Sequence, residues 1–438
     1  MTDKNSATAE SNANARRARR DALCAIAAVF MLGAPGLPAH AADAIKVGVL
    51  LPLSGNFAAN GQQTLTGIKM YFDSIHNEVA GHKIDLIVED TQGKPDVAVT
   101  KARKEVERDG AQVLSGIVLS SEALAVNDYS RQAEVPLVLS GDAGVDEITM
   151  PGPLANPYLV RVSQNGRTVA AAAAEWAYKT KGWRKVAVLG SDYAGGVNVN
   201  YAFAQTFCML GGKVIQEEWP PLNSLDYGPY LTTLDRSAEA LVTFTPGADG
   251  LRLGQQYAQF GLKGKMPVLD IYAGIAYEPN LGQLGDAALG VYSSLFYTPM
   301  LKTPENEAFV AEFKKRMGSL PANEGPNGWA GAHAIADAVK AVNGDLKDKL
   351  KFMAALKAVK FASPKGEIVL DKYGQVIQTM YIREVEKVDG QLANVPIASY
   401  PHVDQFWPFT EAEYASYKYS WKEMKGSLTD CGKLLAKK

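Results

Sequence analysis

The stretch IKVGVLLPLSGNFAANGQQTLTGIKM, residues 45–70, contains a strand, a loop and a helix in succession. Apolar residues at every second position from Ile45 to Leu51 predict a buried strand. The loop contains proline and glycine, and no basic residue follows the strand until Lys69. Gly55 and Gly61 are too far apart for a dinucleotide-binding turn. The stretch therefore predicts an α/β unit that lacks the chemistry to bind a phosphate.

The same alternation continues along the chain. Strand-like runs at 45–52, 83–90, 111–118 and 135–141 are separated by helical stretches at 62–77, 97–108 and 122–132. After a Pro- and Gly-rich break at 150–158 the alternation restarts, and two period-two strands flank a turn at Tyr373 and Gly374. This order predicts two doubly wound α/β domains with helices on both faces of each parallel sheet. The last 45 or so residues carry no clear pattern and are either an ordered wrap or a loose tail.

Composition and motifs exclude several classes of function. The chain has 438 residues, of which 47% are hydrophobic and 21% are charged, which suits two domains of ordinary size. Its net charge of -2, with interspersed signs, offers no basic surface for nucleic acid. The five histidines are scattered, and no His or Cys cluster has metal-ligand spacing. Common catalytic and nucleotide-binding motifs are missing from the sequence. These observations favour a binding protein without a cofactor over an enzyme.

The first 41 residues differ from the rest of the chain. Arginines at 16–20 precede an apolar run at about 22–32 and the small-residue motif Ala39-His40-Ala41. This pattern predicts a signal peptide rather than a disordered tail, with a mature chain that starts near Ala42 in a periplasm-like space. No other apolar run is long enough to cross a membrane stably.

Two cysteines, Cys208 and Cys431, remain after removal of the predicted leader. In an oxidising compartment such a pair suggests one disulfide, but two separate thiols fit the sequence as well.

Polar residues follow the ends of four predicted strands. The loops are SGNFAANG (54–61), LSSEAL (119–124), SGDAG (140–144) and SDYAGG (191–196). Ligands of open α/β sheets bind outside the carboxyl ends of the strands, so these loops are candidate binding segments. Ser120 and Ser121 at a helix start either cap the helix or, with exposed amide groups, form a site for a carboxylate. Both roles can hold at once.

The ordered succession of these segments resembles the periplasmic solute-binding proteins of branched-chain amino acid type ABC transporters. The segments are IKVGVLLPLSG, IDLIVEDTQGKPDVAVTKARKEV, VLSGIVLSSEALAV, VPLVLSGDAG, VAVLGSDYAGG and SPKGEIVLD. The resemblance covers about residues 44–386. It implies a type I periplasmic-binding fold, in which two Rossmann-like doubly wound lobes, joined by a multi-crossing hinge, close on a small molecule. It also implies a periplasmic monomer that delivers its ligand to an ABC permease, without stable membrane insertion.

The resemblance implies lobe boundaries as well. One lobe is 42–165 with 296–362, the other is 166–295 with 363–392, and residues 393–438 form a C-terminal tail.

Several binding positions of the family can be matched to this chain. Ser120 matches the serine that holds the ligand carboxylate, and Ser121 lies beside it. Ala143 matches a backbone contact to the carboxylate or ammonium. Tyr193 matches an aromatic residue that covers the ligand from the second lobe, and Asn60 matches a ligand-contacting amide.

Two positions depart from the amino acid binders of the family. Gly144 stands where they usually have a threonine, and Tyr272 aligns with the acid that pairs with the α-ammonium, although a shift of two positions brings Asp270 there. An unpaired ammonium in a closed cleft costs several kcal/mol. These departures therefore favour a carboxylate with an apolar or aromatic body.

Aromatic residues can supply a surface for such a body. Phe57, Tyr193 and Tyr272 are candidates, whereas Phe244 either joins them or is an ordinary core residue. The loops SGDAGVDEIT and FASPKGEIVL resemble family members that bind benzoate-type acids, and Asp142 then accepts a ring hydroxyl or caps a turn. We expect a binding protein for an aromatic acid such as a hydroxybenzoate. The alternatives are a branched-chain amino acid or amide carrier, a sensory receptor ectodomain and an exported enzyme.

Overall fold

The computed structural model describes residues 42–272 and 274–438. The predicted signal peptide at 1–41 lies outside the described residues.

Six strands form the first sheet: β1 (Ala42–Leu51), β2 (Glu78–Val79), β3 (His82–Asp90), β4 (Val113–Gly116), β5 (Leu137–Leu139) and β6 (Leu159–Arg161). Their order is β2-β3-β1-β4-β5-β6. β1, β4, β5 and β6 run parallel, and β2 pairs antiparallel with β3. Val49, Leu50 and Leu51 in β1 are all fully buried, because helices cover both faces of the sheet.

Nine strands form the second sheet: β7 (Lys185–Gly190), β8 (Lys213–Glu218), β9 (Ala240–Phe244), β10 (Val268–Ile271), β11 (Tyr292–Leu295), β12 (Lys360–Ser363), β13 (Gly366–Leu370), β14 (Val376–Val388) and β15 (Gln391–Val403). Their order is β12-β13-β14-β11-β10-β9-β7-β8, with β15 paired to β14. β7 to β11 run parallel, and the later strands add antiparallel pairs.

Helices cover the two sheets. They are α1 (Ala58–Ser74), α2 (Pro95–Arg103), α3 (Ser120–Ala133), α4 (Gly166–Lys179), α5 (Ala194–Met209), α6 (Gly228–Thr232), α7 (Ala248–Gln259), α8 (Glu278–Leu284), α9 (Pro304–Met317), α10 (Glu324–Ala341), α11 (Lys349–Lys357), α12 (Glu411–Ala415) and α13 (Cys431–Leu434). We call the first sheet with α1–α3 and α9–α11 the first lobe, and the second sheet with α4–α8 the second lobe. This mixed α/β architecture confirms the predicted fold class.

Glycines bring α1 and α10 into close contact. A Cβ at Gly67 would lie 1.9 Å from the backbone oxygen of Gly325, and one at Gly328 would lie 2.1 Å from that of Thr64. Only glycine therefore fits at either position. The crossing places the start of α10 beside Asn60 on the first turn of α1, where Asn60 Nδ2 donates to Glu324 Oε1 at 2.5 Å.

The hairpin of β13 and β14 belongs to both lobes. Its strands pair within the second sheet, yet Ile368, Leu370 and Val376 pack in the core of the first lobe. Arg161 at the end of β6 donates its backbone N–H to the oxygen of Gly374 at 2.8 Å, which ties the first sheet to the hairpin. The lobe boundary at 362–363 falls inside β12, so the division into lobes stays a prediction.

The C-terminal segment is an ordered wrap. Residues 393–403 form most of β15, which the sequence did not single out because its side chains alternate only weakly between apolar and polar. Beyond it the chain returns to α5, where the structure joins Cys431 to Cys208 in a disulfide. Trp421 Nε1 donates to Glu147 Oε2 at 2.5 Å, and Glu147 lies in the first lobe between β5 and β6. The wrap therefore contacts both lobes.

A buried acid supports the strand of the opening stretch. Glu105 lies in the π-helical turn Lys104–Arg108 that continues α2, and its Oε1 accepts from Val49 N at 3.1 Å. A Cβ at Gly48 would lie 2.3 Å from Glu105 Oε2, so the glycine makes room for the carboxyl group. Burial raises the pKa of Glu105 to about 8.

This pKa predicts a pH-dependent stability. Because the folded pKa of Glu105 lies above its unfolded value, its contribution is fully present below about pH 4.5 and is lost as the pH rises through about 8. The change amounts to roughly 1 kcal/mol per pH unit in between. Glu105→Gln removes the ionisation, so the variant should gain stability relative to the natural protein as pH rises from about 5 to about 9.

Urea unfolding at both pH values measures the difference. Glu107→Gln on the same turn is the matched control, since the Glu107 side chain is 58% exposed. A difference between Glu105→Gln and the natural protein that does not change with pH would contradict this role of Glu105.

Candidate ligand-binding site

A cavity lies between the two lobes, at the carboxyl ends of six parallel strands. The space free of protein atoms there is about 400 Å³, part of which is open to solvent. The lining residues of the first lobe are Phe57, Asn60, Val118, Leu119, Asp142, Asn323 and Glu324, and those of the second lobe are Tyr193, Phe244, Pro246, Gly247, Tyr272 and Tyr277. The lobes thus contribute different chemistry: the polar side chains come mainly from the first lobe and the aromatic rings mainly from the second.

Two acids and two amides form the polar part of the cavity. Asn60 Nδ2 donates to Glu324 Oε1 at 2.5 Å, and Asn323 Nδ2 donates to Asp142 Oδ1 at 2.8 Å. Asn323, which binds Asp142, directly precedes Glu324 in the chain, and both acids line the cavity, so the two carboxyl groups lie close together. Burial raises the pKa of Asp142. Burial and then the charge of Asp142 raise the pKa of Glu324 well above its usual range.

Three aromatic rings form a continuous wall on the second lobe. The Tyr193 and Phe244 rings stack with centroids 6.2 Å apart, and the Phe244 and Tyr272 rings meet edge to face at 5.8 Å. Tyr272 has a φ of +74°, outside the range of strand residues, so β10 ends just before it. Its hydroxyl accepts from Gln164 Nε2 and lies 3.5 Å from the backbone oxygen of Asp142. Together these rings can cover a flat apolar body.

The start of α3 lies next to the cavity. Val118 and Leu119 line it, and α3 begins at Ser120. Ser120 is buried, and its Oγ accepts from Gly144 N at 3.2 Å. Within the described residues, neither the Ser120 hydroxyl nor the backbone amides of Ser120 and Ser121 donate a hydrogen bond. The helix start therefore keeps donors available for an anion.

The structure brings five of the ten predicted site residues into the lining: Phe57, Asn60, Asp142, Tyr193 and Tyr272. Phe244, left open by the sequence, also lines the cavity. The other five predicted residues, Ser120, Ser121, Ala143, Gly144 and Asp270, are not among the lining residues. Which of the ten contact a ligand stays a prediction.

Ala143 and Gly144 lie behind the cavity. The Ala143 backbone oxygen accepts from Arg161 Nη1 at 3.2 Å, and the Gly144 oxygen accepts from Gly166 N at 2.6 Å. A Cβ at Gly144 would lie 3.2 Å from Gly166 N, so the glycine allows close packing at the point where the chain enters the second lobe.

Asp270 stabilises the second sheet and the turn that follows β10. It is fully buried in β10, and it accepts from Ala276 N at 2.8 Å and from Thr243 Oγ1 at 3.1 Å. Burial raises its pKa to about 6. Both carboxyl oxygens are thus engaged in holding the β10 turn, and Tyr272 rather than Asp270 faces the cavity.

Sequence reasoning missed Asn323, Glu324 and Tyr277. Glu324 is the first residue of α10, and its partner Asn60 lies on α1, 264 positions earlier in the chain. The glycines at 67 and 328 were visible in the sequence, but nothing local pairs the two helices that they bring together. An acid at a helix start reads as an ordinary first-turn residue.

Polar contacts also join the lobes across the mouth of the cavity. Arg252 Nη2 in α7 donates to Asn56 Oδ1 at 3.2 Å, and it also pairs with Asp249. Gln63 Nε2 in α1 lies 3.5 Å from the Tyr277 hydroxyl. These contacts show a closed arrangement of the two lobes over the cavity.

Two features are absent from the described residues. Across 42–272 and 274–438, no helix is long and apolar enough to span a membrane. The same ranges contain no group of three or more His, Cys, Asp or Glu side chains suited to a metal ion.

Comparison with known proteins identifies the family. The periplasmic binding protein family matches residues 44–391. The Leu/Ile/Val-binding protein homolog 6 of Brucella melitensis is 32% identical over 381 residues, which cover 85% of this chain and 94% of that protein.

Two similar solved structures are solute binding proteins of ABC transporters. One, from Rhodopseudomonas palustris BisB5 in complex with 3,4-dihydroxybenzoic acid, is 33% identical, covers 83% of this chain and 98% of that chain, and has a TM-score of 0.78. The other, from Rhodopseudomonas palustris HaA2 in complex with p-hydroxybenzoic acid, is 32% identical and has a TM-score of 0.79. The match covers 84% of this chain and 100% of that chain. The chain therefore belongs to the periplasmic binding protein family and is a substrate-binding protein of an ABC transporter, not an enzyme.

Proposed function

We propose that this protein captures a small aromatic carboxylate, such as a hydroxybenzoate, between its lobes and delivers it to an ABC permease. The observation that carries the proposal is the make-up of the cavity: an aromatic wall faces a set of hydrogen-bond acceptors, and no Lys or Arg is among the lining residues. A benzoate ring suits the wall formed by Tyr193, Phe244 and Tyr272. The solved relatives bound to hydroxybenzoates support the same ligand class.

The ligand carboxylate is proposed to bind at the start of α3. The available amides of Ser120 and Ser121, the Ser120 hydroxyl and the positive end of the helix dipole supply the attraction there. The ring then lies between Phe57 and the aromatic wall, and a ring hydroxyl points toward Asp142. The opening loop 54–61 needs no cation in this arrangement, since it contacts the uncharged part of the ligand.

A branched-chain amino acid carrier is the second candidate, and one observation favours it. Asp142 and Glu324 provide acidic groups in the cavity that can receive an α-ammonium, whereas Asp270 is buried and already accepts hydrogen bonds from Thr243 and Ala276. The Leu/Ile/Val-binding homologues are consistent with this candidate. The wall of aromatic rings favours the aromatic acid, as does the glycine at position 144, where amino acid binders of the family usually have a threonine.

Export to the periplasm and a monomeric state belong to the same proposal. The leader at 1–41 is then removed near Ala42, and mass spectrometry of the exported protein identifies its first residue.

Isothermal titration should separate the two ligand classes. Protein that has been unfolded and refolded to remove any bound ligand is titrated with 4-hydroxybenzoate, 3,4-dihydroxybenzoate, benzoate and leucine. We expect the hydroxybenzoates to bind at least tenfold more tightly than leucine, because leucine leaves the aromatic wall poorly covered. Tight leucine binding with weak hydroxybenzoate binding would reverse the assignment.

Removal of the Ser120 hydroxyl should weaken binding of the carboxylate. Ser120→Ala is expected to cost about 1 to 3 kcal/mol of binding free energy, the usual range for a lost hydrogen bond to a charged group. Thr303→Ala is the matched control, since Thr303 Oγ1 accepts from Asn306 N at the start of α9, remote from the cavity. Circular dichroism establishes that both variants are folded. Equal 4-hydroxybenzoate affinity in Ser120→Ala and the natural protein would remove Ser120 from the site.

A further inference from the structure

Asp142 and Glu324 both line the cavity, and no Lys or Arg of the described residues is among the lining residues. Amide donors fix one oxygen of each: Asn60 Nδ2 binds Glu324 Oε1, and Asn323 Nδ2 binds Asp142 Oδ1 at 2.8 Å. The other oxygens, Asp142 Oδ2 and Glu324 Oε2, are buried and accept no well-formed hydrogen bond from the described residues. Two ionised carboxylates close together repel each other strongly, as in enzymes where paired acids share one proton.

Lys365 is linked to Asp142 through one intervening residue, Asn327. Lys365 Nζ donates to Asn327 Oδ1 at 2.8 Å, and Asn327 Nδ2 in turn lies 3.3 Å from Asp142 Oδ1. Burial lowers the pKa of Lys365 to about 7, and its Nζ donates to Val162 O, Asn327 Oδ1 and Gln378 Oε1 but to neither carboxyl group of the pair. It therefore neutralises the acid pair incompletely, and only through the intervening amide.

The other titratable groups around the pair are tyrosines from the second lobe. Tyr277 lines the cavity together with Glu324, and the Tyr272 hydroxyl lies 3.5 Å from the backbone oxygen of Asp142. The Tyr193 ring completes the cover. Burial raises the pKa of all three tyrosines above 10, so they stay neutral and contribute no charge in the neutral range.

We propose that Asp142 and Glu324 act as one proton-sharing acid pair that recognises the ring hydroxyl of the ligand, and that the pair takes up a proton when the second lobe closes over it. This inference rests on the proposed function for the ligand class. The pair is assembled by the first lobe alone, from the loop after β5 and the start of α10. The residues that shield it, Tyr193, Tyr272 and Tyr277, belong to the second lobe.

The acids lie on one lobe and the tyrosines that shield them on the other, and this arrangement sets the direction in which ligand affinity changes with pH. Opening exposes the pair to water and eases ionisation of both acids, whereas closure removes the water and favours the shared proton. Because the closed complex binds more protons than the open protein, affinity falls as pH rises. The dependence is at most tenfold per pH unit for one proton. A ring hydroxyl adds the donor that the free carboxyl oxygens lack, so a hydroxylated ligand gains affinity over benzoate at this end of the site.

The experiment measures proton exchange on binding. Titration calorimetry with 4-hydroxybenzoate and with benzoate, in buffers of different ionisation enthalpy from about pH 6 to about pH 8, gives the number of protons taken up. For the natural protein we expect uptake of up to one proton and a dissociation constant that rises with pH. We also expect benzoate to bind at least tenfold more weakly than 4-hydroxybenzoate.

Glu324→Gln should remove the proton uptake and most of the preference for the hydroxyl group. Glu105→Gln is the matched control, since Glu105 is also a buried acid of raised pKa but lies behind β1, outside the cavity. Glu105→Gln should leave the proton uptake and the preference for the hydroxyl group unchanged. Asp142→Asn provides a second variant of the pair in case Glu324→Gln fails to fold.

The outcomes distinguish the two proposals. If 4-hydroxybenzoate binds without proton uptake, or if Glu324→Gln keeps the full preference over benzoate, the acid-pair proposal is wrong and the aromatic-acid function stands. If leucine binds and the benzoates do not, the aromatic-acid function and hydroxyl recognition both fail. The shared proton is then judged on the leucine complex: the infrared difference spectrum at neutral pH must gain the absorption of a protonated carboxyl group on binding, and Glu324→Gln must lack that gain. If this absorption is not gained, the acid-pair proposal is wrong.

Discussion

The close crossing of α1 and α10 is the constraint on which the cavity depends. Backbone atoms occupy the space where a Cβ would stand at Gly67 and at Gly328, so the two helices approach at a distance that any other residue would prevent. This approach brings Asn60 and Glu324 together and sets Glu324 opposite Asp142. A larger separation would leave the cavity with one acid instead of two, because Glu324 comes from outside the sheet that carries Asp142.

Sequence patterns located the part of the site that follows strands. Asp142 and Tyr193 stand in loops directly after buried strands, Asn60 lies on the first turn of the helix after β1, and the topology of a parallel sheet places all such segments along one edge. Glu324 does not follow a strand, and its partner Asn60 lies 264 positions earlier in the chain. No local sequence pattern therefore predicts that Glu324 belongs to the site. The sequence left Asp270 and Tyr272 as alternatives because it does not show where β10 ends; in the structure β10 ends at Ile271, and Tyr272 lines the cavity.

The fold itself was more accessible to sequence reasoning than the lobe boundaries were. Alternating strands and helices fix the class, because each strand must find neighbours and each helix must cover a sheet face. The hairpin of β13 and β14 cannot be assigned to one lobe from the sequence. Its strands pair within the second sheet, whereas its apolar side chains pack in the core of the first lobe. The C-terminal wrap was equally hard to assign: its position is set by long-range contacts such as Trp421 with Glu147 and by the disulfide from Cys431 to Cys208.

The unequal division of chemistry between the lobes favours closure around a ligand. Acids and amides of the first lobe remain hydrated when the lobes separate, whereas the aromatic wall of the second lobe gains from any apolar surface that covers it. Closure without a ligand sets that wall against buried acceptors that lack donors, which is unfavourable. A ligand that carries both a ring and hydrogen-bonding ends satisfies the two lobes together. It therefore stabilises the closed form by its differential affinity for that form, which is the only way a ligand can shift such an equilibrium.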